Sequence, residues 1–156
     1  MNLEKYEYQK SANHREYEFY SLGPKGNIRK IVRFKLLVTN GVAYFNLVFG
    51  DWDEEKQKID DIKVTNNGDT EKILLTVAII VLDFMKQFPD SMVFAEGSNI
   101  ARTRRYQMGI NKLWNQINML VEVYGLSADN TWMPFHKNVN YEAFLIRRKK
   151  NVSLYE

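Results

Sequence analysis

The stretch that decides the fold is IRKIVRFKLLVTNGVAYFNLVF, residues 28–49. At its centre stands Asn40-Gly41, the pair preferred in two-residue hairpin turns because both positions need a positive φ. A turn of this length also fixes the register of the two flanking strands. The register pairs four apolar residues of one strand with four of the other: Val38 with Ala43, Leu36 with Phe45, Phe34 with Leu47, and Val32 with Phe49.

The alternation along both strands supports the same register independently of the turn. The opposite face pairs Arg33 with Val48 and Lys35 with Asn46, so it is the more polar of the two. A slip of one residue would exchange the faces and expose the apolar set. The sequence therefore predicts an antiparallel hairpin with its apolar face toward the core.

Two helices are predicted to cover this sheet. The first begins after Asp69 or Thr70, contains the apolar run Ile73–Leu82, and ends near Phe88 because Pro89 follows. Ten apolar residues are too few to span a bilayer, which needs about twenty. We therefore expect this helix to be buried in the core.

The second helix follows a short strand, Met92–Ala95, and is expected to run from Asn99 to about Ile117. Gly97 permits a tight corner, and Ser98 is a candidate N-cap because its hydroxyl can accept from free amides of the first turn. Its apolar side is predicted to comprise Ile100, Thr103, Tyr106, Ile110, Leu113 and Ile117, with Arg104, Arg105 and Lys112 toward solvent and Arg102 at the border.

The remaining segments complete one α+β domain, a mainly antiparallel sheet packed against two helices. A basic C-terminal tail begins at about residue 147. Gly50–Lys58 is expected to be an acidic connection, and Ser127–Val139 a loop anchored by Trp132, Pro134 and Phe135. Further short strands are predicted around Tyr6–Tyr8, Tyr17–Phe19, Gln57–Thr65 (with Ile62 and Val64 inward), Leu120–Tyr124 and Tyr141–Ile146.

Composition excludes several classes of function. The 156 residues include no cysteine and two histidines, so disulfides, thiolate chemistry and a structural zinc site are not expected. No cofactor is indicated, since no phosphate-binding loop is present. The N-terminus has no apolar signal sequence, which favours a cytoplasmic protein without membrane association. A net charge of +3 means that a nucleic-acid interface would have to depend on clustered cations.

The first two turns of the second helix form such a cluster, with three arginines and no acid. Because a helix start carries partial positive charge, stability alone would favour Asp or Glu there. The arginines therefore suit either an anion docked at the helix start or salt bridges to Glu96, Glu122 or Glu142. For an anion, Arg102 would act with the Ser98 hydroxyl and the amides of Ile100 and Ala101.

Nucleic acid is the natural phosphate-bearing partner for such a surface. Basic clusters at Lys25–Lys35, Arg102–Arg105 and Arg147–Lys150, interleaved with aromatic residues, would form a groove if they shared a face. The function predicted is thus phosphate or nucleic-acid binding without catalysis. The candidate site comprises Ser98, Arg102, Thr103, Arg104, Arg105, Tyr106, Arg33, Lys35, Arg147 and Arg148.

Two alternatives belong to other classes of function. Asp51 with Asp61-Ile62-Lys63 loosely imitates the carboxylates and lysine of a magnesium-dependent nuclease. Exposed aromatics within Trp132–Phe135 would suit a protein partner, for instance one encoded in the same small bacterial operon.

Short motifs also connect the chain to a family. Gly97-Ser98 before Ala101-Arg102-Thr103-Arg104 and Tyr106, together with Asn140-Tyr141-Glu142-Ala143-Phe144, resembles a family of small uncharacterised bacterial proteins. In that family a Gly-Ser-Thr-Pro tetrad precedes Ala-Arg-Thr-Arg, whereas Asn99 and Ile100 occupy the last two positions here. The resemblance implies a shared fold and no agreed activity.

Overall fold

The computed structural model describes residues 4–63 and 65–150. These residues form two helices and nine strands, an α+β domain as the sequence predicts. In chain order the elements are β1 (Gln9–Lys10), β2 (Glu16–Gly23), β3 (Gly26–Thr39), β4 (Val42–Asp53), β5 (Lys58–Asp60), α1 (Thr70–Gln87), β6 (Met92–Ala95), α2 (Ile100–Ile117), β7 (Val121–Leu126), β8 (Trp132–Pro134) and β9 (Ala143–Arg148).

All nine strands belong to one sheet in the order β1-β2-β3-β4-β6-β9-β7-β8, with β5 added to one end of β4. Every neighbouring pair is antiparallel except β4 and β6, which are joined through α1 and run parallel. The two helices contact each other, and both contribute to the hydrophobic core on one face of the sheet. We call this the helix face and the opposite one the outer face.

The central hairpin has the predicted turn and register. Asn40 and Gly41 both have positive φ, and all four apolar pairs form as expected. Val32, Phe34 and Leu47 are buried beneath the helices. Toward the turn the burial prediction is wrong, because the hairpin extends beyond the helix layer and leaves apolar side chains in solvent. The exposed side chains of the predicted apolar face include Leu36 and Val38.

Helix α1 is the buried helix predicted from its apolar run. Ile80, Phe84 and Met85 are completely inaccessible to solvent, and the ring of Phe84 stacks on that of Phe34 with centroids 4.0 Å apart. Asp69 is its N-cap residue, although its carboxylate makes no cap hydrogen bond. That carboxylate instead accepts from the Ser21 hydroxyl and joins α1 to β2.

The start of α2 differs from the prediction. Asn99, not Ser98, is the N-cap, and its side-chain oxygen accepts from the Arg102 amide at 2.9 Å. Gly97 is required for close approach: a Cβ there would lie 2.4 Å from the Thr103 amide nitrogen. Ile100, expected on the buried side, is three-quarters exposed because it precedes the first turn that contacts the sheet.

Several shorter segments also depart from expectation. Ile62 is exposed because β5 ends at Asp60, while Val64 lies outside the described residues. The acidic connection begins inside β4, which continues to Asp53. Ser127–Val139 contains β8, and of its predicted anchors Phe135 is buried and Trp132 exposed.

The basic tail likewise begins inside a strand. Arg147 and Arg148 are the last residues of β9, and the tail beyond residue 150 lies outside the described residues. Within the described ranges, neither helix is long and apolar enough to cross a membrane.

Candidate functional site

A gap in the hydrogen-bonding edge of β4 organises the candidate site. β6 pairs with β4 only at Phe45 and Asn46, and β5 pairs with it only from Asp51 onward. The carbonyl of Phe49 lies between these two stretches, where the described residues form no strand pairing at that edge. Arg102 extends to this carbonyl from α2 and donates to it from Nη1 at 3.3 Å. The guanidinium thus takes the place of a strand amide as the donor to this carbonyl.

Arg102 also joins α2 to the chain between β5 and α1. Its Nη2 donates to the carbonyl oxygen of Lys63. Its Nε is buried and has no hydrogen-bond partner among the described residues. The side chain is therefore hydrogen-bonded to neutral carbonyls. Its charge also acts on the nearby Asp60, whose pKa is lowered by hydrogen bonds from the Lys63 and Ile62 amides and by the charge of Arg102.

Beside Arg102 lies a cavity of about 50 Å³ at the carboxyl end of β4, which we call the basic pocket. Four cationic residues and one carboxylate residue line this pocket. They are Lys30, Lys63, Arg102, Arg105 and Asp51.

The single carboxylate of the pocket is already neutralised. Asp51 forms an ion pair with Lys30, and both side chains are more than nine-tenths buried. The Thr65 hydroxyl donates to the other carboxylate oxygen at 2.7 Å. Lys63, Arg102 and Arg105 therefore supply the net positive charge of the pocket.

Arg105 is the member with the most freedom to bind a ligand. Within residues 4–63 and 65–150 its guanidinium makes no hydrogen bond or ion pair, while the residue as a whole is half-buried. Tyr106 lies next to it in the same wall. Burial raises the pKa of Tyr106 to about 12, so its hydroxyl stays protonated at neutral pH.

Salt bridges do not account for the arginines of α2. None of Arg102, Arg104 and Arg105 contacts a carboxylate in the described part of the chain, and Glu122 pairs with Arg147 instead. Arg104, predicted to face solvent, turns toward the β8–β9 connection and donates to the Tyr141 carbonyl at 2.6 Å.

Two other residues of the predicted site have structural partners. The Thr103 hydroxyl accepts from the Gly97 amide at 3.0 Å and donates to the Asn99 carbonyl. The Ser98 hydroxyl donates to the Asp61 carbonyl. Ser98 lines a neighbouring cavity together with Asp61, Glu96 and Arg102, where two carboxylates outnumber the one cation.

The three basic clusters do not converge on one groove. Side chains alternate along β3, so Arg33 and Lys35 project from the outer face, opposite the buried Val32 and Phe34. Arg33 is paired there with Glu16.

The third cluster is also separated from the helix start. Arg147 lies opposite Met92, at the end of β6 remote from α2, where it is paired with Glu122. Hydrogen bonds from Arg147 and Tyr124 lower the pKa of Glu122. Arg148 lies opposite Val121 at the same end of the sheet. Of the ten predicted site residues, the basic pocket brings together Arg102, Arg105 and Tyr106.

The positions of Asp51 and Asp61 do not favour a magnesium-dependent nuclease. Asp51 is engaged by Lys30 and Thr65, and Asp61 lies in the neighbouring cavity. Among residues 4–63 and 65–150, no group of three His, Cys, Asp or Glu side chains is placed to hold a metal ion.

Sequence reasoning missed Lys30 and Lys63 as parts of the pocket. For Lys30 a signal exists: continuing the hairpin register by one inward pair places it opposite Asp51. A lysine facing an aspartate on the core side of a hairpin indicates a buried ion pair. Lys63 lies on an irregular segment, and no local sequence pattern predicts that it lines the pocket.

Comparison with known proteins gives a family without an activity. No curated protein and no solved structure shows a significant match to the chain. A family model described as a family of unknown function (DUF6934) matches residues 2–149, nearly the whole sequence, and the chain therefore belongs to this family.

Proposed function

We propose that this protein binds a phosphate-bearing ligand in the basic pocket and does so without catalysing its conversion. The observation that carries the proposal is the Arg105 guanidinium, which lines the pocket and has no partner among the described residues. An anion in the pocket would supply the missing partner.

The charge of the pocket favours phosphate over a carboxylate ligand. A guanidinium presents parallel N–H groups that match the oxygens of either anion. A phosphate monoester carries a charge of about −1.5 to −2 at pH 7, however, and suits a pocket lined by several cations better. Lys63 and Arg102 stand beside Arg105 for this purpose.

Isothermal titration calorimetry with inorganic phosphate and with methyl phosphate, at low salt, tests the proposal. Arg105→Gln should weaken binding of both by about 10- to 100-fold, the usual effect of removing a hydrogen bond to a charged group. Arg33→Gln is the matched control, because it removes the same charge from the outer face. Absence of binding by the unmodified protein, or equal binding by both variants, would overturn the proposal.

A second candidate function is binding of single-stranded nucleic acid on the outer face. Aromatic rings form a row there: Phe94 lies 5.9 Å from Tyr44 and 6.1 Å from Trp132, centroid to centroid. The Arg147 guanidinium covers the Tyr124 ring at 5.4 Å. Rings beside cations on a sheet are how many proteins stack unpaired bases.

A further inference from the structure

A second cavity lies next to the basic pocket and differs from it in chemistry. It occupies about 70 Å³ between the sheet and the two helices. Its walls are apolar side chains from both helices and from four strands, among them Leu47, Val77, Val81 and Val123. We call it the apolar cavity.

The two cavities share part of their walls. Leu74 of α1 and Tyr106 of α2 line both of them. Tyr106 therefore presents its ring to an apolar space while its neighbour Arg105 lines the basic one. Gly109 of α2 packs against Leu74 of α1 at this point.

The apolar cavity also reaches the protein surface. Three of its wall residues on α1, namely Leu74, Ala78 and Leu82, are half-buried, whereas Ile80 and Phe84 on the same helix are completely inaccessible. Leu74, one of these accessible residues, packs against Gly109 of α2 and also lines the basic pocket. A ligand seated against Leu74 and Tyr106 would therefore border both spaces.

We propose that the ligand is a phosphate monoester of a short apolar group, with its phosphate on Arg105 and its hydrocarbon part in the apolar cavity. This inference rests on the function proposed above and adds the chemistry of the second half of the ligand. The hydrocarbon part would be removed from water against the apolar side chains. The phosphate would accept charge-assisted hydrogen bonds from the free guanidinium.

The volume of the cavity limits the length of the chain. A cavity of about 150 Å³ with similar walls accepts benzene, which has six carbon atoms. At about 70 Å³ the apolar cavity has roughly half that volume, which corresponds to about three or four carbon atoms. Propyl and butyl groups fit this limit, whereas octyl exceeds it.

A series of n-alkyl phosphates, from methyl to octyl, tests this inference by calorimetry on the full-length protein. Each methylene that enters the cavity should tighten binding about fourfold, so butyl phosphate should bind roughly 60 times more tightly than methyl phosphate. Beyond butyl the gain should stop. A plateau of this kind distinguishes a closed cavity from nonspecific adsorption of hydrocarbon.

A variant that fills the apolar cavity provides an independent test. Ala78→Leu adds a side chain to its wall, and should reduce the advantage of butyl over methyl phosphate while leaving methyl phosphate unaffected. Gln116→Leu is the matched control, because it adds leucine at an exposed position of α2. Should Ala78→Leu fold poorly, the alkyl series on the unmodified protein decides alone.

The outcomes separate this inference from the function on which it rests. Binding of methyl phosphate with no dependence on chain length would overturn the short-chain ligand and leave the phosphate site intact. Binding of neither methyl nor butyl phosphate would overturn both. A butyl advantage that survives Ala78→Leu unchanged would place the hydrocarbon elsewhere and also overturn the inference.

Discussion

The Lys30 ammonium and the Asp51 carboxylate form an ion pair almost wholly removed from solvent, at facing positions of β3 and β4. Both side chains project to the helix face, in line with Val32 and Phe34. The pair forms the floor of the basic pocket. By neutralising the one carboxylate of that pocket, Lys30 leaves the positive charge of Arg105 available to a ligand.

Breaking this pair from one side should destabilise the protein strongly. Lys30→Met leaves the Asp51 carboxylate buried without its cation, and we expect the free energy of unfolding to fall by about 3–5 kcal/mol. The double variant Lys30→Met/Asp51→Leu should recover much of that loss, because no buried charge remains. Urea denaturation followed by circular dichroism measures both changes.

The exposed Arg33–Glu16 pair is the control for that experiment. Arg33→Met removes a cation from the opposite face of the same strand, where the side chains of Arg33 and Glu16 are both more than two-fifths exposed. Exposed pairs contribute about 0–1 kcal/mol, so little change is expected. Equal losses for Lys30→Met and Arg33→Met would show that burial does not govern these pairs.

Gly97→Ala should damage the fold and the basic pocket together. The new Cβ would lie 2.4 Å from the Thr103 nitrogen and 2.6 Å from the Arg102 Cβ, so the first turn of α2 must move. We expect a loss of about 1–3 kcal/mol in stability, as for other overpacked sites, and weaker phosphate binding because Arg102 shifts.

Gly109→Ala is the matched control in the same helix. Its Cβ would meet Leu74 at 3.4 Å, an ordinary contact, and alanine is favoured over glycine in a helix by about 1 kcal/mol. Thermal unfolding should therefore occur at the same or a higher temperature. A Gly97→Ala protein that is as stable as Gly109→Ala would contradict the role of close approach at Gly97.

Arg104 should prove structural and Arg105 functional, although they are adjacent. Arg104 and Gln107 together hold the segment before β9: Arg104 donates to the Tyr141 carbonyl, and Gln107 accepts from the Tyr141 amide at 3.2 Å. Arg104→Ala leaves that carbonyl without its donor and should lower stability by about 1–3 kcal/mol. Phosphate affinity should stay the same, and a tenfold loss would contradict this division.

The sequence predicted the parts of the fold that depend on local patterns. The Asn40-Gly41 turn and the alternation of apolar residues beside it determine the register of the hairpin. The apolar run of α1 indicates that this helix is buried. The exposure of Leu36 and Val38 could not be predicted, because it depends on how far the helices extend over the sheet. Such limits are set by packing between segments distant in the sequence.

The candidate site was predicted less completely, for a related reason. Charge alone identifies the arginines at the start of α2, but their partners come from β4 and from the segment after β5. Whether Arg102 meets a carboxylate or a carbonyl depends on the gap between β5 and β6. The spacing of residues within α2 cannot predict which of these partners Arg102 meets. The inward position of Lys30, by contrast, follows from the hairpin register.

A salt series with a fluorescently labelled single-stranded oligonucleotide should decide whether nucleic acid binds the outer face. Each phosphate contact that is lost reduces the slope of log K against log salt by about one. Lys35→Ala should therefore flatten the slope, because Lys35 projects from that face. Trp132→Ala should weaken binding at every salt concentration without changing the slope, since stacking involves no counterion release.

Arg105→Ala is the discriminating variant in this series, because its side chain lies on the helix face. An oligonucleotide on the outer face should bind Arg105→Ala as it binds the unmodified protein. If Arg105→Ala flattens the slope and Lys35→Ala does not, the phosphates contact the basic pocket, and the outer face is not the nucleic-acid surface. Negligible binding even at low salt would leave the basic pocket as a site for small phosphate-bearing ligands and would remove nucleic acid from consideration.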